Sequence, residues 1–129
     1  MYPAVYAQRV SQYTSVQTET HLTDATPHRL IQMLMEGFLA RVNSAIGAVE
    51  RKDYEAKSLY ISKAAAIVGG LDEALDKEKG GEIAENLADL YTYINARLLD
   101  ASKENSIEIL TETGSLMREI KSAWDAIEA

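Results

Sequence analysis

A chain of 129 residues carrying 20 acidic and 13 basic side chains, a formal net charge of −7, has the length of one domain, burying roughly two thirds of its unfolded surface. That acidity, with no cluster of Lys or Arg to break it, argues against nucleic acid or anionic lipid as partner, because phosphate binding needs a concentrated cationic face. The absence of cysteine removes disulfides, thiolate metal sites and cysteine nucleophiles, while 2 Pro, 7 Gly and 47% hydrophobic residues give an ordinary globular composition.

Residues 1–25 read as a segment of their own. Tyr2, Tyr6, Val10 and Tyr13 recur at helical spacing, with Pro3 near the start and the polar stretch TSVQTETHLTDAT behind. This predicts a short extra helix on a flexible tether, docked on the body through its tyrosines rather than frayed into solvent. The stretch contains no continuous apolar run of the kind a signal peptide or membrane span requires, so a cytosolic location without membrane insertion is expected.

Residues 26–129 divide into four segments of helical periodicity, and none alternates as a strand does. Thr26-Pro27 opens the first, with Thr26 as cap and Pro27 at the position whose N–H has no partner anyway. Its apolar row is Leu30, Leu34, Phe38, Val42, Ala45 and Val49, and it ends near Arg51-Lys52. Asp53 then caps a second helix that aligns Tyr60, Ala64, Ile67, Leu71 and Ala74 and runs to Asp76-Lys77, after which Gly80-Gly81 breaks the chain. The third helix aligns Ile83, Leu87, Leu90, Ile94, Leu98 and Ala101, close to the four-and-three step of a packed seam. Asn105 with Glu108 forms a box-like start for the fourth, which aligns Leu110, Thr113, Met117, Ile120, Trp124 and Ile127. Short links force antiparallel neighbours, so the expected fold is all-α: an up-down four-helix bundle with a short extra N-terminal helix.

The inventory for chemistry is poor. His21 and His28 are the only imidazoles, there is no HExxH, and Gly80-Gly81 is not followed by the Lys-Ser/Thr of a phosphate loop. Pairs such as Glu82 with Glu85 or Asp72 with Asp76 read as a solvated face, since no Glu-x-x-His motif accompanies them. His28 stands in a first helical turn, unlike the mid-helix histidine of phosphotransfer bundles, which leaves phosphotransfer as an alternative. No catalytic residue, metal or cofactor is expected.

The width of the apolar arcs is the informative feature. Ile31, Leu39 and Ile46 broaden the first helix's row, and Ile61, Ala65, Val68 and Leu75 lie beside the Tyr60–Leu71 line of the second. Such arcs either serve two neighbours and the N-terminal segment, close a homodimer, or form a groove for another protein's amphipathic helix. Tyr91 and Tyr93 suit the rim of such a groove.

The run Thr26-Pro27-His28-Arg29-Leu30-Ile31-Gln32-Met33-Leu34-Met35-Glu36-Gly37, the block Glu78-Lys79-Gly80-Gly81-Glu82-Ile83-Ala84 with Asn86-Leu87 and Leu90-Tyr91-x-Tyr93, and the closing Ala123-Trp124 strongly resemble the FliS flagellar secretion chaperones. Met1-Tyr2 and Tyr13-x-x-Val16 resemble the same family's N-terminus. The resemblance implies a cytosolic export chaperone that binds the C-terminal region of flagellin, disordered before assembly and helical once bound, and prevents premature polymerisation. It further implies contact with a flagellar export gate protein of the type III apparatus, and an N-terminal segment able to occupy part of the groove without cargo. On this reading Ile61, Ala65, Val68 and Leu75, with Leu87, Tyr91 and Leu98, are the expected flagellin-binding residues, and Tyr2, Tyr6 and Tyr13 gate them. The protein is expected to be a monomer or weak homodimer, and the rival to the chaperone is a structural, oligomeric helical module.

Overall fold

Thr26 accepts a hydrogen bond from the Arg29 N–H at 3.1 Å and Pro27 follows it, so the first helix begins where an orphan donor is met and a missing donor costs nothing. In the computed structural model, which describes residues 25–127, four helices follow: α1 Pro27–Glu50, α2 Tyr54–Glu73, α3 Lys77–Glu104 and α4 Ile107–Asp125. No strand occurs among the described residues. The expected short N-terminal helix, with Tyr2, Tyr6 and Tyr13, falls outside them.

Each link carries its own stop and start signals. After α1, Lys52 takes a left-handed conformation (φ 61°), and Asp53 then accepts from the Ala56 N–H at 3.1 Å to open α2. The second helix stops at Glu73, short of Asp76, because Asp76 is spent as the cap of α3, accepting from the Lys79 N–H at 3.1 Å. One turn later Gly81 (φ 53°, ψ −129°) interrupts α3 in a conformation only glycine takes easily. The glycine pair therefore breaks the helical path as expected, with one short helical turn from Lys77 before Gly81 and the long run of α3 after it.

The expected Asn105–Glu108 cap is replaced. Asn105 is left-handed (φ 51°) and closes α3, with its Oδ1 accepting from Lys57 Nζ at 2.8 Å. Ser106 is the true cap of α4, accepting from the Ile109 N–H at 3.1 Å, which leaves Glu108 one position too early for a capping box.

Three- and two-residue links between long helices leave antiparallel packing as the only short route, and α1 and α3 each pack on both α2 and α4. The four helices form an up-down ring. Phe38, Leu34 and Met35 from α1, Val68 from α2, Ile94 and Leu98 from α3, and Leu110 and Met117 from α4 fill its centre. Thr113, also buried, returns its hydroxyl to Leu110 O at 2.7 Å, so its polar atom is satisfied within its own helix. The α3 seam runs through Ala84, Tyr91, Ile94, Leu98 and Ala101, with Leu87 half-buried beside it. Ile83 is 73% exposed and Leu90 37%: each lies about 100° back from its buried neighbour, off the line expected for it.

Candidate functional site

Because the helices alternate in direction, one end of the bundle collects the start of α1, the end of α2, the start of α3 and the end of α4. There the four stripes diverge and leave a groove of about 350 Å³. Ile31 and Met35 come from α1, Leu71 from α2 and Leu75 from the link after it, Ile83, Leu87, Leu90 and Tyr91 from α3, Ile120, Ala123 and Trp124 from α4, and Ile127 from just beyond α4. Glu119 is the one charged residue among these described lining residues. An apolar cleft of this size favours whatever apolar surface fills it, through exclusion of water.

The α1–α4 wall is fixed by directed contacts. The His28 and Trp124 rings stack with centroids 4.7 Å apart and planes 13° from parallel, while the Trp124 indole N–H donates to the His28 carbonyl at 3.0 Å. Gln32 donates to Asp125 at 2.8 Å, and Lys121 pairs with Asp125 at 2.8 Å. Lys121, then Gln32, hold the Asp125 carboxyl below the usual range. His28 is thus a stacking partner at the start of α1, which is how the structure uses the one described imidazole.

The α3–α4 wall is tied at a different height. The Tyr93 hydroxyl donates to Glu112, and Arg97 bridges Glu112 and Asp100 at 3.0 Å each. The bond to Glu112 pushes the Tyr93 phenol up, and the same bond, followed by Arg97, holds the Glu112 carboxyl low. Toward the groove from this cluster, α3 presents the apolar side chains of Ile83, Leu87 and Leu90.

The α2–α3 wall is pinned at the far end, where buried Lys57 donates to Ser102 O and Asn105 Oδ1 at 2.8 Å each, a cation capping the carbonyl end of α3. Near the groove the same wall is less well satisfied. Tyr91 is buried and its phenol is pushed well above the usual tyrosine range, first by burial and then by the Asp72 carboxylate. Asp72 Oδ1, and Asn95 Oδ1 one turn beyond Tyr91, are sealed from solvent and accept no hydrogen bond among the described residues. Such an oxygen costs about 1–3 kcal/mol in lost hydration.

Of the expected cargo residues, Leu75, Leu87 and Tyr91 meet in this groove. Ala65 is half-buried on α2, outside it. Ile61 (6% exposed), Val68 (0%) and Leu98 (1%) are corrections to the surface strip that the arcs imply: they are consumed by the core, because α2 is held between α1 and α3 and both flanks of its arc are used. Tyr2, Tyr6 and Tyr13 lie outside the described residues. Residues that periodicity missed are Ile83, Leu90, Trp124 and Ile127, each assigned to a seam: Ile83 stands near the start of α3, Leu90 midway along it, Trp124 in the last turn of α4 and Ile127 just beyond. For Ile83, Trp124 and Ile127 the signal was available in the antiparallel order, which brings these three to one end.

Among the described residues no group of His, Asp or Glu is arranged to hold a metal ion, and no helix is long and apolar enough to cross a membrane.

Residues 9–129 match the family described as Flagellar protein FliS. The chain is 48% identical over 124 residues to the flagellar secretion chaperone FliSB of Pseudomonas aeruginosa, covering 95% of this chain and 98% of that one. It is 39% identical over 122 residues to the flagellar secretion chaperone FliS of Salmonella typhimurium (94% and 90% covered). To the FliS of Vibrio cholerae it is 35% identical over 115 residues (89% and 85% covered).

Proposed function

The chain belongs to the FliS family of flagellar proteins, and from that premise we propose that its groove holds the C-terminal segment of flagellin as a helix before export. Its role is that of a flagellar secretion chaperone, a binding function and not a catalytic one. The observation that carries the reading is the apolar groove where the four helix ends diverge, with Ile83 73% exposed on one lip and Trp124 on the other.

A disordered segment that folds on its partner loses conformational entropy, and the interface must offset about 2–5 kcal/mol or more of ordering. Leu75, Leu87 and Tyr91, joined by Ile83, Leu90 and Trp124, supply the water-shedding surface for that. Capture of the segment in the cytosol blocks polymerisation, and the loaded chaperone then engages an export gate protein. Tyr2, Tyr6 and Tyr13 compete for the groove when cargo is absent. Support for this competition comes from Ala25, which packs on the core just before α1, at the groove end of the bundle.

The test is a pull-down with flagellin and with flagellin lacking its last forty or so residues, enough for two or three short helices. Trp124 is the single tryptophan of the chain, so its emission reports the groove directly. Retention of full-length flagellin alone, with a blue shift of Trp124, is expected. Equal retention of both forms, or a dimer that retains neither, overturns the reading.

A further inference from the structure

At the far end of the bundle from the groove, the last turns of α1 and the second turn of α2 enclose a cleft of about 300 Å³ lined by Asn43, Ser44, Gly47, Arg51 and Tyr60. The polar side chains of these five form no hydrogen bond or ion pair among the described residues. Asp53 is spent on the Ala56 N–H, and no described acid stands within ion-pair reach of Arg51. Gly47 gives the cation its seat: a Cβ added there would stand 3.1 Å from Arg51 Nη1, so the guanidinium folds back along α1 where that side chain is missing. A cation at the end of α1 also meets the helix dipole, but that requires neither the cleft nor a glycine, which is a poorer helix residue than alanine. The result is an amide and two hydroxyls beside one unpaired guanidinium, with no carboxylate among the lining residues.

We propose that this α1–α2 cleft is a second binding site, which takes the carboxylate of an acidic side chain on a partner protein. Arginine offers paired N–H donors to a planar carboxylate, and Asn43, Ser44 and Tyr60 have donors to place around it. A doubly charged phosphate fits less well, because one guanidinium in a chain of net charge −7 offsets less of its charge. Asn43 and Arg51 are exposed, so a free carboxylate reaches the site but gains little by leaving water; one tethered to a segment lying along α1 and α2 binds at high effective concentration. Gly47 stands twelve residues past Met35 on α1, about 18 Å along the axis, so a partner can reach the cleft while the groove is filled.

The test titrates the full chain with an acetylated, amidated peptide of alanine and glutamate, followed by magnetic resonance through the Arg51 Nε–H and Gly47 amide signals. Both signals are expected to move to saturation, and not to move with the same peptide carrying glutamine for glutamate. Arg51→Gln is expected to weaken binding about tenfold or more, the worth of a hydrogen bond to a charged group. Gly47→Ala separates affinity from stability: the new Cβ pushes the guanidinium off its seat and weakens binding, while alanine in the helix raises the melting midpoint. A flagellin C-terminal peptide added beforehand is expected to leave the titration unchanged. Signals that do not respond, wild-type affinity in either variant, tighter binding of inorganic phosphate than of the glutamate peptide, or competition from the flagellin peptide each overturn the proposal.

Discussion

Trp124 holds His28 twice, by ring stacking at 4.7 Å and by an indole N–H bond to the histidine's own carbonyl at 3.0 Å. The last turn of α4 is thereby fastened to the first turn of α1, and one lip of the groove is set before any ligand arrives. Trp124→Phe keeps an aromatic surface and loses the bond, so chemical denaturation followed by circular dichroism is expected to show a loss of about 1 kcal/mol. Trp124→Ala removes the lip as well. Its cost is about 2–3 kcal/mol, below that of a fully buried tryptophan because this ring is partly exposed, and cargo binding is expected to fall with it.

Ile83 and Ile61 make a contrast that assigns surface and core. Aspartate at Ile83, 73% exposed on the first turn after Gly81, is expected to change stability by no more than about 0.5 kcal/mol while weakening flagellin binding about tenfold or more. Aspartate at Ile61, 6% exposed, puts a carboxylate into the core and is expected to cost more than about 3 kcal/mol, visible as lost helicity at moderate temperature. A native spectrum for Ile61→Asp together with lost binding would return Ile61 to the surface.

Removal of residues 1–16 takes away Tyr2, Tyr6 and Tyr13, the groups proposed to compete for the groove. If a fraction of molecules is closed, apparent affinity is reduced by that fraction, and the truncated chain is expected to bind flagellin more tightly or to self-associate through the uncovered groove. Unchanged affinity in a protein that light scattering finds monomeric speaks against competition.

The bundle was legible in the sequence because its signals are local and repeated. Thr26, Asp53 and the Leu30–Phe38–Val42 row carry capping and periodicity within one or two turns, and each appears where those rules put it. The groove was legible only in part. Leu75, Leu87 and Tyr91 could be named as apolar residues beside a seam, but periodicity fixes an angle around a helix and says nothing of depth along it. Ile61 and Leu75 have nearly the same angular claim on a helix continued to Asp76; the first lies within α2 and is sealed, the second lies past the end of α2 and lines the groove. Asp72 reads from sequence as one more acid on a wet face, and only the packing of α2 on Tyr91 reveals an oxygen without a bond.

Two glycines of the groove end are expected to answer alanine with opposite signs. At Gly69, inside α2, an added Cβ meets nothing within 4 Å, so Gly69→Ala is expected to stabilise by about 0.5–1 kcal/mol through lost freedom of the unfolded chain. At Gly81 the space is equally open but φ is +53° with ψ −129°, a conformation that Cβ disfavours. Gly81→Ala is expected to cost about 1–3 kcal/mol or to straighten the kink, and melting curves of both variants check the pair.

Glu112 couples the α3–α4 tie to pH. Its carboxyl is held low in the folded protein, first by the Tyr93 hydroxyl and then by Arg97, so the folded state takes up its proton less readily than the unfolded chain does. The stabilisation is complete above the ordinary glutamate value of about 4.3 and is lost as pH falls through the lowered folded value. Tyr93 works in the opposite range. Its phenol is raised, chiefly by the bond to Glu112, so its contribution is complete below about pH 10 and is lost as pH rises through the raised folded value. Melting temperature against pH is therefore expected to lose part of its acid slope in Glu112→Gln and part of its alkaline slope in Tyr93→Phe. Tyr93→Phe also weakens the acid slope, since it removes the larger cause of the Glu112 shift. Both groups are open to solvent, so the amplitudes are small and shrink with added salt, and acid and alkaline slopes that neither variant alters would mean the tie contributes nothing to folding.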